Sequence, residues 1–404
     1  MPVRLGPAED TLIAQLESVG AAPQAERIRV AGLPTRRVES YHYTDLKTLL
    51  RAVPPLAAPA NDVSAPVFAA PAFVVEGATR LAIVNGRIVP HGDLPAGLIV
   101  GRSEGSALTL RDDMLVHLNA AFAGESLSLT IEDTLANPVV VDRRIEGNPA
   151  HSAGSLKLFV ADGATATVVE VFSGSDAAHL GNHASYVALG RNAVLTHVTV
   201  NLTAGGATHF ATNEYQLADD AKLRSLVVHA GADLTRTQIF ARMAGAGAHA
   251  DIGGLNLVSD GQHSDITMEA LHAVAHTTSQ PLFKSVTRGR SHAVVQGKLV
   301  VARDAQKTDA KFMHQGLMLS DEAEILSKPE LEIYADDVVC GHGSTCGTID
   351  EEALFYLLSR GIPRAEAETM LVRGFLEELI DPIEDEALSA ALSGLVETWL
   401  SGGK

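Results

Sequence analysis

The sequence predicts a mainly β protein, with a right-handed parallel β-helix core between α-helical modules at its two ends. Alanines follow polar or glycine turns at nearly constant intervals, at Ala164, Ala193, Ala221 and Ala248, which are 29, 28 and 27 residues apart. Each alanine precedes an apolar strand, and Ala323 continues the pattern. A fixed period of this size is typical of coils that stack their hydrophobic faces on one another. The 35 glycines and the aromatic content of 4% favour closely packed backbones around small aliphatic side chains.

The composition changes along the chain and divides it into four segments. Residues 8–30 carry apolar side chains at helical spacing, and Pro34 breaks that pattern. From Val53 onward the chain is rich in alanine and proline, as extended linkers are, and the Asn-Gly pair at 85–86 predicts a turn between strands. The predicted segments are an N-terminal helical module, a linker with entry strands, the β-helix core and a C-terminal helical domain, at 1–52, 53–125, 126–349 and 350–404.

The C-terminal domain is predicted to contain three amphipathic helices, at residues 350–360, 363–380 and about 384–400. Gly361 suits the C-terminal cap of the first helix, and Pro363 suits the start of the second. We expect these helices to close the last coil of the β-helix and to offer a surface to a partner.

Charge and composition exclude several classes of function. Thirty-one basic and 49 acidic residues give a formal charge of -18, which disfavours binding to nucleic acid and to anionic membrane surfaces. The N-terminus has no apolar signal region, and no stretch reaches the roughly 18 apolar residues of a spanning helix. Two cysteines are too few for a disulfide framework and fit a reducing compartment. We therefore expect a cytoplasmic protein, and the absence of a Walker A motif predicts that it hydrolyses no ATP itself.

Cys340 and His342 are the strongest candidates for a metal site. In an extended strand both point to the same face, while Gly341 and Gly343 leave the other face bare. A thiolate beside an imidazole suits iron, zinc or copper. Two ligands cannot complete a tetrahedral centre, so such a site must be transient or shared with another chain. The alternative is a buried thiol beside a hydrogen-bonded histidine.

The remaining cysteine and most of the histidines are expected to have structural roles. Cys346 follows a Gly-Ser-Thr segment that is predicted to be a turn, so a common orientation with Cys340 is not assumed, and the favoured interpretation is a small core residue. Twelve of the 16 histidines lie between His179 and His342, and most are expected at solvated edges of the coils.

Residues 328–361, KPELEIYADDVVCGHGSTCGTIDEEALFYLLSRG, resemble the C-terminal signature of the SufB/SufD family of iron-sulfur cluster assembly scaffolds. ESYHYTDL at 39–46 and HLNAAF at 117–122 resemble two further motifs of that family, in the same order. Tyr41 stands where the family commonly has Trp, and Cys346 where SufD-type chains generally have an aliphatic residue. Glycines flank His342 and no cysteine precedes Cys340, so the chain resembles the SufD branch.

The resemblance implies a non-catalytic subunit of a SufB/SufC/SufD complex that assembles and transfers iron-sulfur clusters. It implies a SufB-like paralogue bound through the β-helix and a SufC-like ATPase bound through the C-terminal helices. Whether the chain forms a homodimer when it is alone stays open. A transient cluster shared with SufB is implied, with His342 and Cys340 as metal ligands and no cluster held stably by this chain alone. The residues expected to contact the ATPase are Phe355, Tyr356, Arg360, Gly361, Met370 and Phe375.

Two alternatives remain at this point. One is a carbohydrate-acting β-helix enzyme, although such enzymes are usually exported and use Ca²⁺-binding carboxylate clusters, and neither feature is evident here. The other is a purely structural pairing module in which His342 has no chemical role.

Overall fold

A computed structural model describes residues 4–57, 71–108 and 111–402, so most of the predicted linker lies outside the described part. The helices are α1 to α7, at Pro7–Ser18, Ala22–Ala31, Leu46–Leu49, Met114–Phe122, Glu351–Ser359, Arg364–Glu377 and Glu386–Leu400. The strands β1 to β10 are Thr79–Val84, Arg87–Ile88, Leu98–Glu104, Glu125–Ile131, Val139–Ile145, His151–Val160, Thr165–Gly174, Leu180–Leu189, Val194–Asn201 and Thr208–Leu217. The strands β11 to β20 are Lys222–His229, Leu234–Met243, His249–Val258, His263–His272, Thr278–Ser279, Leu282–Thr287, His292–Val301, Asp309–Met318, Glu324–Ile333 and Val339–Gly347.

From β4 to β20 the chain winds through about eight coils, each of which places one strand position in each of two facing parallel sheets. Sheet A contains β3, β4, β6, β8, β10, β12, β14, β17 and β19; sheet B contains β1, β2, β5, β7, β9, β11, β13, β15, β16, β18 and β20. Among the described residues, no helix falls between α4 and α5. The predicted β-helix flanked by helical modules is confirmed.

The alanine repeat marks successive coils of sheet B. The backbone N–H groups of Val194, Lys222, His249 and Thr278 donate to the carbonyl groups of the four periodic alanines at 2.9, 2.8, 2.9 and 3.0 Å. These alanines are buried because each lies at an inward corner under the next coil. Ala323 does not extend this series, because it precedes β19, which belongs to sheet A.

The interior of the coils has an apolar part and a polar part. Because many histidines lie in the polar part, the expectation that most are at solvated edges is wrong. Leucine, valine and isoleucine side chains from both sheets form one continuous core cluster. Beside it, hydroxyl and amide side chains from neighbouring coils hydrogen-bond to inward-facing histidines; for example, His229 lies 2.8 Å from both Ser264 Oγ and Thr237 Oγ1. The fully or nearly fully buried histidines are His151, His179, His183, His197, His209, His229, His272 and His314.

The N-terminal module and α4 together cover the outer face of sheet A. α1, α2 and α4 pack together and against Leu180, Phe210 and Leu234 of that sheet. Beside this apolar contact the buried guanidinium of Arg236 pairs with Asp265 and donates to the Ser40 carbonyl at 2.7 Å.

The ESYHYT motif at 39–44 supplies this docking contact. Tyr41 is buried, its hydroxyl donates to Asp113 at 2.7 Å, and the Arg236 guanidinium lies 4.2 Å from its ring centroid. The motif therefore attaches the N-terminal module to the solenoid, and Tyr41 fills the position where the family commonly has Trp.

The C-terminal helices cover the outer face of sheet B instead of closing the last coil. Asp350 caps α5 by accepting from the N–H groups of Glu352 and Ala353, and Gly361 (φ 84°) ends that helix as predicted. α6 and α7 then run back along the sheet, which corrects the prediction of a lid. Their apolar side chains pack against outward-facing residues of five strands, in a cluster that includes Leu376, Leu388, Leu392, Val396, Val169, Val198, Leu226, Leu255 and Val286.

Candidate functional site: the open end of the solenoid

The last coil leaves both sheets with an open edge. Within the described ranges, β19 pairs with β17 alone and β20 with β18 alone. Ile333, Tyr334 and Val339 are exposed apolar residues on or beside these strands. Unpaired N–H and C=O groups along two such strands form a template for another chain.

Cys340 and His342 lie on the inward-facing side of β20, as the alternation of strand residues predicts. Their register partners on β18, Ala310 and Phe312, are buried in the solenoid core, which fixes the direction of this face. Cys340 is half-buried against the core, whereas His342 is exposed at the open end. Two residues along a strand span about 7 Å, so both side chains can reach one group bound between them and a partner.

Gly341 and Gly343 lie on the opposite, outer face, as predicted. A Cβ added at Gly341 would meet nothing within 4 Å, whereas one at Gly343 would lie 2.7 Å from Met313 Cε. The outer face of β20 is therefore smooth and accessible at Gly341 and covered by a flexible methionine at Gly343.

Cys346 faces inward, which the sequence analysis did not assume. β20 runs without interruption from Val339 to Gly347, so no turn separates the two cysteines. Cys340, His342, Ser344 and Cys346 form one inward-facing row. The two thiols lie about 20 Å apart along the strand, too far to act on one atom. Cys346 is exposed, so the prediction of a core residue is wrong.

Both thiols favour the protonated form in the isolated chain. Burial raises the pKa of the Cys340 thiol; a hydrogen bond with the Ala310 backbone opposes this shift and the charge of Asp309 adds to it. Burial also raises the pKa of Cys346. A metal ion that binds either sulfur must displace its proton. Across the described ranges, no group of three or more His, Cys, Asp and Glu side chains lies close enough to hold a metal ion.

Five of the six predicted partner-binding residues lie on α5, in the turn that follows it and in the middle of α6. Phe355, Tyr356 and Met370 are 72%, 57% and 46% exposed, and Arg360 donates to the Tyr356 hydroxyl at 3.2 Å. Gly361 is exposed in the turn between the helices. These residues define the surface that is predicted to bind a partner, and Arg360 places a cation beside Tyr356 on it.

Phe375 lies apart from this surface. It is half-buried against sheet B, with Lys284 Nζ 4.2 Å from its ring centroid. Its position on α6 therefore places it in the contact that attaches the C-terminal helices to the solenoid.

Two of the motifs that resemble the family also contact each other. Lys328, which begins the KPELEI segment of β19, forms ion pairs with Glu39 of the ESYHYT motif and with Glu330. Sequence reasoning did not anticipate this contact between residues nearly 300 positions apart, because neither motif carries a signal for its partner.

The open-ended solenoid with helices on both flanks defines a class of protein that comparison with known chains identifies. The chain matches the family model described as SUF system FeS cluster assembly, SufBD core domain, over residues 144–375. It is 30% identical to the iron-sulfur cluster assembly protein SufD of Escherichia coli strain K12 over 408 residues, covering 96% of this chain and 95% of that protein. A SufBD family protein of Synechocystis is 27% identical, over 95% of this chain and 90% of its own length.

A SufBD family protein of Mycobacterium tuberculosis is 34% identical over 211 residues, which cover 50% of this chain and 53% of that protein. The chain belongs to the SufBD family of iron-sulfur cluster assembly proteins. Over its full length it is similar to SufD. No helix in the described ranges is long and apolar enough to cross a membrane.

Proposed function

We propose that this chain is the SufD-type, non-catalytic subunit of a SufB/SufC/SufD scaffold complex that assembles iron-sulfur clusters and passes them on. The observation that carries the proposal is the open end of the solenoid, where the free edges of β19 and β20 and the row containing Cys340 and His342 occur together. The free edges of β19 and β20 can pair with a second solenoid. Cys340 and His342 can then act as metal ligands at that contact.

The partner at the open end is a SufB-like paralogue. A solenoid of the same type presents edge strands of the same length and spacing, so its end can cover β19 and β20 and bury the exposed Ile333 and Tyr334. In the absence of that paralogue, a second copy of this chain offers the same edges for a homodimer.

The cluster is cargo at this contact. One imidazole and one thiol from this chain leave the coordination incomplete, so the partner must supply the remaining ligands. An incomplete set on each chain also favours release, because separation of the subunits removes part of the coordination. The Cys340 proton leaves when the sulfur binds iron.

The SufC-like ATPase binds the exposed side of α5 and α6. Phe355, Tyr356 and Met370 expose apolar area that this chain leaves uncovered, and Arg360 adds a cation at its edge. The sequence carries no Walker A motif, so energy coupling comes from that partner. The cytoplasmic location predicted from the sequence fits such a complex.

His342→Ala in the reconstituted complex tests the chemical role of the row. We expect cluster formation, followed by visible absorption, to fall strongly while subunit association and thermal stability stay nearly unchanged, because His342 is exposed. Cys340→Ser should have a milder effect. Ser344→Ala is the matched control, since Ser344 shares the inward face and offers no strong iron ligand.

The outcomes of this experiment separate the proposal from its rivals. If His342→Ala dissociates the complex, the histidine is an interface residue. If cluster formation is unchanged, the purely structural pairing module is correct. The carbohydrate-acting alternative receives no support from the family to which the chain belongs.

A further inference from the structure

Residues 39–44, which we call the bridging segment, cross the outer face of sheet A over its last strands. The Ser40 carbonyl accepts hydrogen bonds from Arg236 of β12 at 2.7 Å and from Gln296 of β17 at 3.2 Å. The Thr44 hydroxyl lies 2.9 Å from His263 Nε2 of β14, the strand between those two. One short segment of the N-terminal module is therefore attached to three successive strands of the sheet.

The bridging segment also reaches the edge strand β19, through Glu39. The Glu39 carboxylate forms an ion pair with Lys328, which is the register partner of Gln296 and lies in the middle of β19. The Lys328 side chain is only 20% exposed, and Glu330 Oε1 lies 3.4 Å from its ammonium group. Lys328 is thus held between a carboxylate of its own strand and a carboxylate of the N-terminal module.

β19 is less restrained than the strand beside it. Most residues of β17 are buried, whereas none of the ten residues of β19 is buried. Within the described ranges, the other ion pairs that β19 makes with a different element run to β17, from Glu324 to His292 and from Glu332 to Lys298. Strands with few buried contacts open locally at a low free energy. The contact with Glu39 therefore restrains a strand that otherwise depends on one neighbour.

The bridging segment is itself firmly held, so it can act as a fixed support for β19. Tyr41 is buried, and its hydroxyl donates to Asp113 at 2.7 Å. Arg236, which donates to Ser40, is buried and paired with Asp265. An edge strand that is already ordered loses less conformational freedom when another strand pairs with it.

We propose that Glu39 is a positioning residue for assembly, which acts through Lys328 to hold β19 in the conformation that a second solenoid recognises. This inference rests on the proposed function, which makes that solenoid a SufB-like paralogue. Glu39 acts without contacting the paralogue. Its effect falls on the affinity of association and not on the stability of the whole chain, because an ion pair with an exposed carboxylate contributes little to folding.

Charge-reversal variants of the full-length chain test this role. Glu39→Lys and Lys328→Glu should each increase the rate of amide hydrogen exchange in β19 and weaken binding to the paralogue by about three- to fivefold. The double variant restores the ion pair with its charges exchanged, so both quantities should return toward those of the parent. Glu17→Lys is the matched control, because it breaks an exposed ion pair with Arg29 within the N-terminal module and should change neither quantity.

Unchanged exchange in β19 in both single variants overturns the proposal. Weaker binding that the double variant does not recover also overturns it, because Glu39 or Lys328 then contacts the paralogue directly. The urea midpoints of all variants should match that of the parent, and midpoints that fall with the affinity would make the ion pair a general stabiliser instead. A parent chain that does not bind the paralogue contradicts the proposed function itself. Hydrogen exchange is measured on the chain alone, so the two failures are distinguishable.

Discussion

The flanks of the solenoid are covered by helices, whereas its C-terminal end is left exposed. The N-terminal module covers sheet A and the α6–α7 pair covers sheet B, each through an extensive buried apolar cluster. At the open end, β19 and β20 each have one edge without a partner strand in the described structure, with Tyr334 and Val339 exposed. The start of the solenoid is different again, because the antiparallel strands β2 and β3 pair with its first edges.

The difference shows which surfaces serve stability and which serve assembly. Edge strands promote pairing with other chains. At the start of the solenoid the sheets end in the antiparallel strands β2 and β3, whereas at the open end they end in the parallel strands β19 and β20. Substitutions on the flanks should therefore act on folding, and substitutions at the open end should act on association. The predictions below test this division, in order of decreasing effect on stability.

Removal of α6 and α7 should cause the largest loss. A chain that stops after Gly361 exposes the outer face of sheet B, including Leu226, Leu255 and Val286, and we expect it to be insoluble or partly unfolded. Leu376→Ala should cost about 2 to 5 kcal/mol of the free energy of unfolding, measured by urea denaturation. Phe355→Ala on exposed α5 is the control and should leave stability unchanged while weakening ATPase binding. A soluble, fully folded truncated chain would show that the helices are an independent unit.

Arg236→Ala should be the next most severe change. It leaves the buried carboxylate of Asp265 without its cation and removes the hydrogen bond to Ser40, at a cost of about 3 to 5 kcal/mol. Urea denaturation measures this loss, and limited proteolysis should release the N-terminal module. The double variant Arg236→Met with Asp265→Leu should recover much of the stability, because it removes both buried charges. The Thr44 hydroxyl also donates a hydrogen bond to Asp265. If the double variant is as unstable as Arg236→Ala, this hydrogen bond matters more than the ion pair.

The buried histidines predict a loss of stability in mild acid. Burial lowers the pKa of His183 and of His229 to about 3, from an ordinary value near 6.5. Between these values the unfolded chain binds protons that the folded chain does not, so stability falls as the pH decreases from about 6.5 to about 3. Each such histidine contributes about 1.4 kcal/mol per pH unit. His229→Gln should reduce the slope of unfolding free energy against pH. An unchanged slope would contradict the lowered pKa of His229 as a cause of the acid sensitivity.

The sequence was informative where a pattern is local and silent where partners are distant. The alanine period predicted the coils, because each coil repeats the same turn, and the strand alternation predicted that Cys340 and His342 share a face. The inward histidines could not be predicted, since the groups that satisfy them belong to other coils, as with His229 and Ser264. The direction in which α6 and α7 run along sheet B could not be predicted from the sequence either. Their apolar faces were evident, but the matching apolar residues lie on the outer face of distant strands.

Gly341→Lys should have almost no effect on folding and a strong effect on association. A side chain at this position meets nothing within 4 Å of its Cβ in this chain, so the urea midpoint should stay within experimental error of the parent. The new cation projects from the outer face of β20, where a second solenoid that pairs with this edge must approach, and charged side chains on edge strands oppose such pairing. Binding to the SufB-like paralogue, measured by co-purification and by light scattering, should therefore fall at least about tenfold. Gly92→Lys is the matched control, because Gly92 also faces open space but precedes the first coil. If Gly341→Lys binds as well as Gly92→Lys, the partner docks away from β20 and the open end is not the assembly surface.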